Sequence, residues 1–205
     1  MTRILILDYG MGNIFSVQKK IQSLGIRPII SSSSEEILNA DKIILPGVGH
    51  FSKAMENLKK LNVINALNQK VLENKIPVLG ICLGMQLMAL NSEEGKSNGL
   101  GWIDATVKKF KIHDKLNFKV PQMGWNTISI NKKSDLMTDV PNKSEFYFIH
   151  SFYMKCNIKE DILNKTVYEN EFVSAIQKNN IFGVQYHPEK SHDIGVRIFK
   201  NFINI

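Results

Sequence analysis

The sequence predicts an α/β fold: an open, mostly parallel or mixed sheet flanked by helices. Three observations predict it. The first ninety residues alternate apolar runs with stretches of helical spacing, an order that builds a parallel sheet with helices on both faces. The second half changes to short apolar runs separated by polar turns, which read as strands of a mixed sheet. The chain of 205 residues shows no internal repeat, low-complexity linker or composition break, so one domain over 1–205 is the simplest organisation.

Residues 3–8 form a near-continuous apolar run, suited to a strand buried on both faces. After the loop Tyr9-Gly10-Met11-Gly12-Asn13, Val17, Ile21 and Leu24 recur at helical spacing, and Gly25 is a helix stop. Residues 27–30 read as a second strand. Residues 42–45 read as a third, ending in Pro46-Gly47-Val48-Gly49. The apolar positions from 52 to 73 predict a helix, softened by Asn62, Asn65 and Asn68. A buried strand is expected over 77–81 and a short apolar helix over 82–90. Further strands are expected over 107–112, 127–130, 145–149 and 172–177. Lys178-Asn179-Asn180 turns the chain into a last strand over 181–186, and a helix over 191–205 closes it.

Composition narrows the function classes. Apolar residues make up 43% and charged residues 22%, which excludes collagen-like and wholly disordered chains. There are 26 basic and 19 acidic residues, a net +7. The lysines are scattered in short pairs and read as solvated faces, so no nucleic-acid partner is expected. Cys82 and Cys156 are too few for a disulfide scaffold and fit a reduced compartment, although two cysteines can pair. The N-terminal apolar run, four residues after Met1-Thr2-Arg3, is too short for a signal peptide. The longest uncharged run, 76–92, is interrupted by Pro77, Gly80 and Gly84 and falls short of the ~20 apolar residues of a membrane span. A soluble cytoplasmic protein without a membrane partner is expected.

The chemistry concentrates in three stretches. Gly80-Ile81-Cys82-Leu83-Gly84 lies between an apolar strand and an apolar helix, a small-x-nucleophile-x-small pattern. A tight strand-to-helix turn strains the backbone at the nucleophile, and the flanking glycines leave room for it. Sulfur then sits at a helix N-terminus, which favours thiolate. The Leu83 N–H would face a developing oxyanion. Pro46-Gly47-Val48-Gly49 ends a parallel strand, where open α/β sheets place their sites, and its Val48–Gly49 backbone would add a second oxyanion donor. In Tyr186-His187-Pro188-Glu189, residues two apart in extended backbone share a face, so Glu189 can hold the His187 ring. A Cys82, His187, Glu189 triad results.

Other uses of these residues were weighed. His187, Glu189 and His192 could ligate a metal, but Pro188 opposes the helical two-histidine geometry, and no metal is expected. Gly10-Met11-Gly12-Asn13 lacks the third glycine of a dinucleotide fingerprint, so no cofactor is expected. His50 and His150 read as structural histidines.

With the cysteine elbow in one half and His-Pro-Glu in the other, the sequence resembles the class I glutamine amidotransferases, whose architecture is flavodoxin-like. Within that family it looks like the glutaminase subunits of histidine biosynthesis. The likeness runs nearly end to end: Asp8-Tyr9-Gly10-Met11-Gly12-Asn13, Leu45-Pro46-Gly47-Val48-Gly49, the elbow through Gln86, Pro121-Gln122-Met123-Gly124-Trp125-Asn126, His150-Ser151 and Tyr186 to Ser191. The resemblance implies that Cys82 attacks the side-chain amide of glutamine, with Gln86 and Glu94 holding the amino-acid end and the backbone near Ser151 and Phe152 completing the pocket. It implies a heterodimer with a (β/α)8-barrel cyclase. That subunit takes ammonia through an internal passage and makes imidazole glycerol phosphate and an aminoimidazole carboxamide nucleotide. Asn13 and the element Gln122, Met123, Gly124 and Trp125 would face this partner, although Trp125 reads equally as a core aromatic. Low activity in the isolated chain is expected, because Val48 would need the partner to orient it.

Two departures stand out: His50 after Pro-Gly-Val-Gly, where the family most often has a small residue, and Gln122, where it often has His. They keep open a paralogue that feeds ammonia to a sugar amidotransferase of surface-polysaccharide synthesis. A catalytically quiet docking module and a cysteine hydrolase acting on peptides or esters are the other rivals. The intact triad weighs against the first; the His-Pro-Glu order and the Met-Gly-Trp-Asn element weigh against the second.

Overall fold

The computed structural model describes residues 2–205; Met1, at the start of the N-terminal segment read above, lies outside the described residues. Strands β1 (Ile4–Leu7), β2 (Ile29–Ser31), β3 (Lys42–Leu45) and β4 (Val78–Ile81) are parallel neighbours in the order β2-β1-β3-β4. Their side chains alternate between two faces, as a period of two requires. Ile4, Ile6, Ile44 and Leu79 join one core cluster with α1 (Ile14–Gln22). Leu5, Leu7, Ile43 and Leu45 join the other, with α3 (Phe51–Lys60) and α4 (Ile64–Asn68). Helix α2 (Ser34–Leu38), capped by Ser33, connects β2 to β3. Gly25, at φ +80°, ends the turn after α1.

The expected helix over 52–73 is broken. Asn62 stands at φ +53°, which stops α3 after Leu61, and α4 passes into a π turn at Gln69–Glu73. Asn62 causes the first break, since its short polar side chain tolerates this backbone, whereas Asn65 and Asn68 stay helical in α4. The expected helix over 82–90 is shorter too. Helix α5 (Leu83–Leu87) gives way to β5 (Ala89–Ser92), which pairs in parallel with β7 (Ile103–Lys109) and antiparallel with β6 (Ser97–Asn98).

The second half is mostly antiparallel within a mixed sheet, as expected, with several strands displaced. The second strand starts at Ile29, beyond Pro28, which cannot donate to a ladder. Strand β7 starts at Ile103, where buried Ile103, Ala105 and Val107 alternate with polar residues. The strand expected over 127–130 is two: β8 (Gln122–Thr127) and β9 (Ser129–Ile130). Strand β8 pairs with β10 (Glu145–His150) in a separate ribbon. Strands β11 (Phe152–Cys156) and β12 (Ile162–Tyr168) lack a clear sequence signal and flank β13 (Asn170–Lys178). The predicted hairpin joins β13 to β14 (Ile181–Val184), with Asn179 at φ +51°. Strand β14 then runs parallel beside β4, with Val184 opposite Ile81. That register brings the elbow and the His-Pro-Glu stretch together. Helix α6 (His192–Asn204) packs Ile198, Phe199 and Phe202 on the face that α1 covers. No helix of the described residues is long and apolar enough to cross a membrane.

Close packing at the elbow is the tightest point of this architecture. A Cβ on Gly84 would overlap the carbonyl of Leu45 at the end of β3. Gly84→Ala is expected to destabilise the chain by about 3 kcal/mol through backbone displacement, seen as a fall of roughly 6–12 °C in Tm. Gly25→Ala meets open space and is expected to lose only about 1 kcal/mol to its left-handed backbone. Thermal denaturation of the two variants side by side checks the ranking.

Candidate active site

Strand β4 ends directly at Cys82, the N-cap residue of α5, with φ 53° and ψ −108°. A side chain in this region is strained by about 1–3 kcal/mol. The Cys82 N–H donates to the Val184 carbonyl at 2.7 Å, which ties the elbow to β14. The sulfur lies on a pocket of about 390 Å³, and Val48, Gly49, Leu83, Gln86, Glu94, Ser151 and Phe152 line it with Cys82. Sequence reading had named these residues for the site; Pro121, Ile149, His150 and Lys190 line the pocket too and were not assigned to it.

His187 and Glu189 are both buried, with Nδ1 2.7 Å from Oε1. The expected reason was strand alternation. The structure instead turns Pro188–Lys190 into a 3-10 helix, and that turn folds Glu189 back onto the ring. The bond to Glu189 makes Nδ1 the proton-bearing nitrogen of the neutral ring and leaves the buried Nε2 for Cys82. Burial pulls the His187 pKa down, but the charge of the neighbouring Cys82, hydrogen bonding to it, and the bond and charge of Glu189 outweigh burial and raise it above its usual value. An imidazolium beside sulfur favours thiolate in turn.

Gln185 is the residue that sequence reading missed. Its Nε2 lies 3.5 Å from the Cys82 sulfur, and its Oε1 accepts from Gln86 Nε2 at 2.9 Å. The sequence offered no periodic signal for it, since β14 ends at Val184 and residues 185–186 form a bend before His187. Its approach to Cys82 depends on β14 neighbouring β4, which spacing alone does not give.

The expected oxyanion donor is engaged. Leu83 N–H donates to the Gly47 carbonyl at 3.2 Å, so it does not face an open pocket. The Tyr9 hydroxyl donates to the Pro46 carbonyl at 2.5 Å and anchors the start of this segment. Gly12 also abuts it, where a Cβ would come 2.9 Å from the Gly47 Cα.

At the far wall, Gln86 Nε2 donates to the Phe152 carbonyl at 3.0 Å as well as to Gln185, which commits both its N–H groups. Its own oxygen remains as an acceptor. Glu94 Oε2 accepts from the Phe51 N–H at 2.7 Å, capping α3, and its other oxygen remains. His150 donates from Nδ1 to the Phe152 carbonyl at 2.6 Å while Nε2 is unpartnered, so it is half satisfied rather than fully structural. Burial lowers its pKa to about 4. His50 is exposed and bonds Ser52.

The residues expected at a partner surface divide. Asn13 caps α1 by accepting from the Ser16 N–H. Met123 is 67% exposed, and Trp125 is 46% exposed and stacked on His192, so Trp125 is not a core aromatic. Gln122 is a correction to the expected surface. Opposite His150 in the ribbon it faces inward and is 2% exposed, because strand alternation puts it on the other side from Met123. Gly124 lies between Met123 and Trp125 in β8. Cys82 and Cys156 are both free, and the described residues contain no group of three His, Cys, Asp or Glu placed to hold a metal.

Comparison with known proteins agrees with this geometry. The family model described as glutamine amidotransferase class-I matches residues 5–205. Imidazole glycerol phosphate synthase subunit HisH 2 of Methanococcus maripaludis is 50% identical over 200 residues, covering 98% of each chain. Subunit HisH of Methanocaldococcus jannaschii is 46% identical over 202 residues, again 98% of each. Subunit HisH 1 of Campylobacter jejuni is 45% identical over 203 residues, 98% of this chain and 100% of that one. Among solved structures, a glutamine amidotransferase superposes with a TM-score of 0.76 at 14% identity, covering 98% of this chain and 97% of its own. The glutaminase domain of a CTPS from Trypanosoma brucei, with bound acivicin, gives 0.66 at 19% identity, covering 100% and 94%. These two speak for the fold, an α/β sheet of mixed direction. The chain belongs to the class I glutamine amidotransferases and, within them, to the imidazole glycerol phosphate synthase HisH subunits.

Proposed function

We propose that this chain is a single amidotransferase domain over 1–205, the glutaminase subunit of an imidazole glycerol phosphate synthase. It hydrolyses glutamine to glutamate and ammonia and passes the ammonia to a (β/α)8-barrel cyclase in a heterodimer. The observation that carries this reading is Cys82 at the wall of a pocket whose far side offers acceptors, with the buried His187–Glu189 pair acting on its sulfur from outside that pocket. The free oxygens of Gln86 and Glu94 can only accept, which suits the α-ammonium of an amino acid.

In the reaction, Cys82 sulfur bonds to the side-chain carbonyl carbon of glutamine. His187 gives its proton to the departing nitrogen, the C–N bond breaks and ammonia leaves. A γ-glutamyl thioester remains. His187 then takes a proton from water, the hydroxide attacks, the C–S bond breaks and glutamate is released. Glu189 keeps the ring oriented throughout.

The oxyanion donors explain how activity is held in check. The Gly47 carbonyl that occupies Leu83 N–H belongs to the same peptide unit as the Val48 N–H. Turning that one peptide frees Leu83 and presents Val48 in place of the carbonyl, so two donors appear together. The Gly10–Asn13 loop touches this segment through Gly12, and Met123 and Trp125 lie exposed for docking. A partner seated on Asn13, Met123, Gly124 and Trp125 can therefore bias the peptide. The sugar-amidotransferase reading has no observation in its favour. Its two motivating departures, exposed His50 and inward Gln122, lie outside this switch, and the relatives compared carry the synthase name.

Cys82→Ala is expected to abolish glutamine-dependent synthesis by the complex while leaving synthesis from free ammonia intact, measured as imidazole glycerol phosphate formed from each nitrogen source. Glutamate release by the isolated wild-type chain is expected to run about 100-fold or more below that of the complex, the usual effect of a missing oxyanion donor. Full activity in the isolated chain would contradict the peptide switch.

A further inference from the structure

We propose that Gln185 is a positioning residue for the nucleophile: its amide holds the Cys82 sulfur as thiolate and links it through Gln86 to the substrate seat. The inference rests on Cys82 being the nucleophile proposed above.

The direction of the relay is fixed by one group. The Phe152 carbonyl can only accept, so the Gln86 atom 3.0 Å from it is the amide nitrogen. The second N–H of that nitrogen reaches Gln185 at 2.9 Å, so the atom it meets is oxygen. The other end of the Gln185 amide, 3.5 Å from Cys82 sulfur, is then nitrogen, a donor. Gln185 is fully buried, and its backbone N–H is fixed on the Ser174 carbonyl at 2.8 Å, so the side chain has little freedom to turn away.

A donor aimed at sulfur favours the charged form, because a hydrogen bond to an ion is roughly twice as strong as one to a neutral group. The neutral thiol gains little from the backbone in exchange, since the Ile149 carbonyl it can donate to is 3.9 Å away. The charged and titratable groups that face the sulfur are His187, backed by Glu189, from the turn after β14, and Tyr9 from the loop after β1. His150, Glu94 and Lys190 stand around the pocket. Of these, His187 supports thiolate only while protonated. Gln185 supports it at every pH, and it also touches Gln86 of the substrate seat.

The test is alkylation of Cys82 by iodoacetamide in the full chain across pH, with the thiolate displacing iodide and the modified peptide quantified by mass spectrometry. Cys156, whose pKa burial pushes up to about 12, does not compete. Gln185→Met removes the donor. Gln185→Glu keeps the shape and the acceptor for Gln86 but replaces the donor with a carboxylate. Both are expected to move the alkylation profile up by about one pH unit and to slow the reaction about tenfold on its acid side. Thr166→Val breaks a buried bond to Ser174 of 2.9 Å that does not reach the sulfur, and its profile is expected to stay at the wild-type position. Circular dichroism identifies which variants fold. Wild-type profiles in folded Gln185→Met and Gln185→Glu would overturn the proposal, as would an equal shift in Thr166→Val. The readout needs no glutamine. A Gln185-dependent shift in a chain that releases no glutamate from glutamine, even with its barrel partner, would overturn the glutaminase reading and leave the Gln185 role standing.

Discussion

Cys82 is held at φ 53° and ψ −108°, and the surrounding structure exists in large part to keep it there. An L residue leaves such a conformation unless its neighbours over-determine it. Here three do. The Cys82 N–H is fixed on β14, the α5 backbone lies against the end of β3 where Gly84 meets Leu45, and buried parallel strands hold β3, β4 and β14 in register. The strain aims the sulfur out of the sheet toward the one buried imidazole that can sustain its charge.

Two layers of control follow from the same geometry. The Cys82 sulfur is met from inside the fold by His187 with Glu189 and by Gln185, which Gln86 holds in turn. The oxyanion donors are governed from the edge, where the Gly47 carbonyl occupies Leu83 N–H and the Gly10–Asn13 loop leans on the same segment. On the proposed function, a nucleophile in place and an occupied oxyanion donor suit an enzyme whose product would be protonated and lost if released before its consumer was docked.

The elbow, the meeting of His187 with Glu189 and the parallel half were legible in the sequence because each depends on local pattern, apolar runs, glycine spacing and a two-residue separation, although a 3-10 turn rather than strand alternation brings Glu189 to the ring. Reading failed where the cause was not local. The helix over 52–73 looked continuous because its apolar spacing survives the left-handed Asn62. Strands β11 and β12 are paired by tertiary context rather than by alternation. The Leu83 N–H was expected to be free, and its engagement depends on a contact with a residue thirty-six positions earlier. Gln185 escaped notice because a buried glutamine acquires meaning only from its two partners. Gln122 was placed at the surface with Met123 and Trp125, although strand alternation alone puts it on the opposite side from Met123.

The central claim is that the elbow sets Cys82 against His187 as a charged pair. NMR titration of the His187 ring nitrogens in the wild type and in Cys82→Ala tests it most directly. The wild-type ring should hold its proton well above the usual histidine range. In Cys82→Ala, burial would be opposed by Glu189 alone, and the titration should move down. A His187 that titrates at the same pH in both proteins would contradict the account.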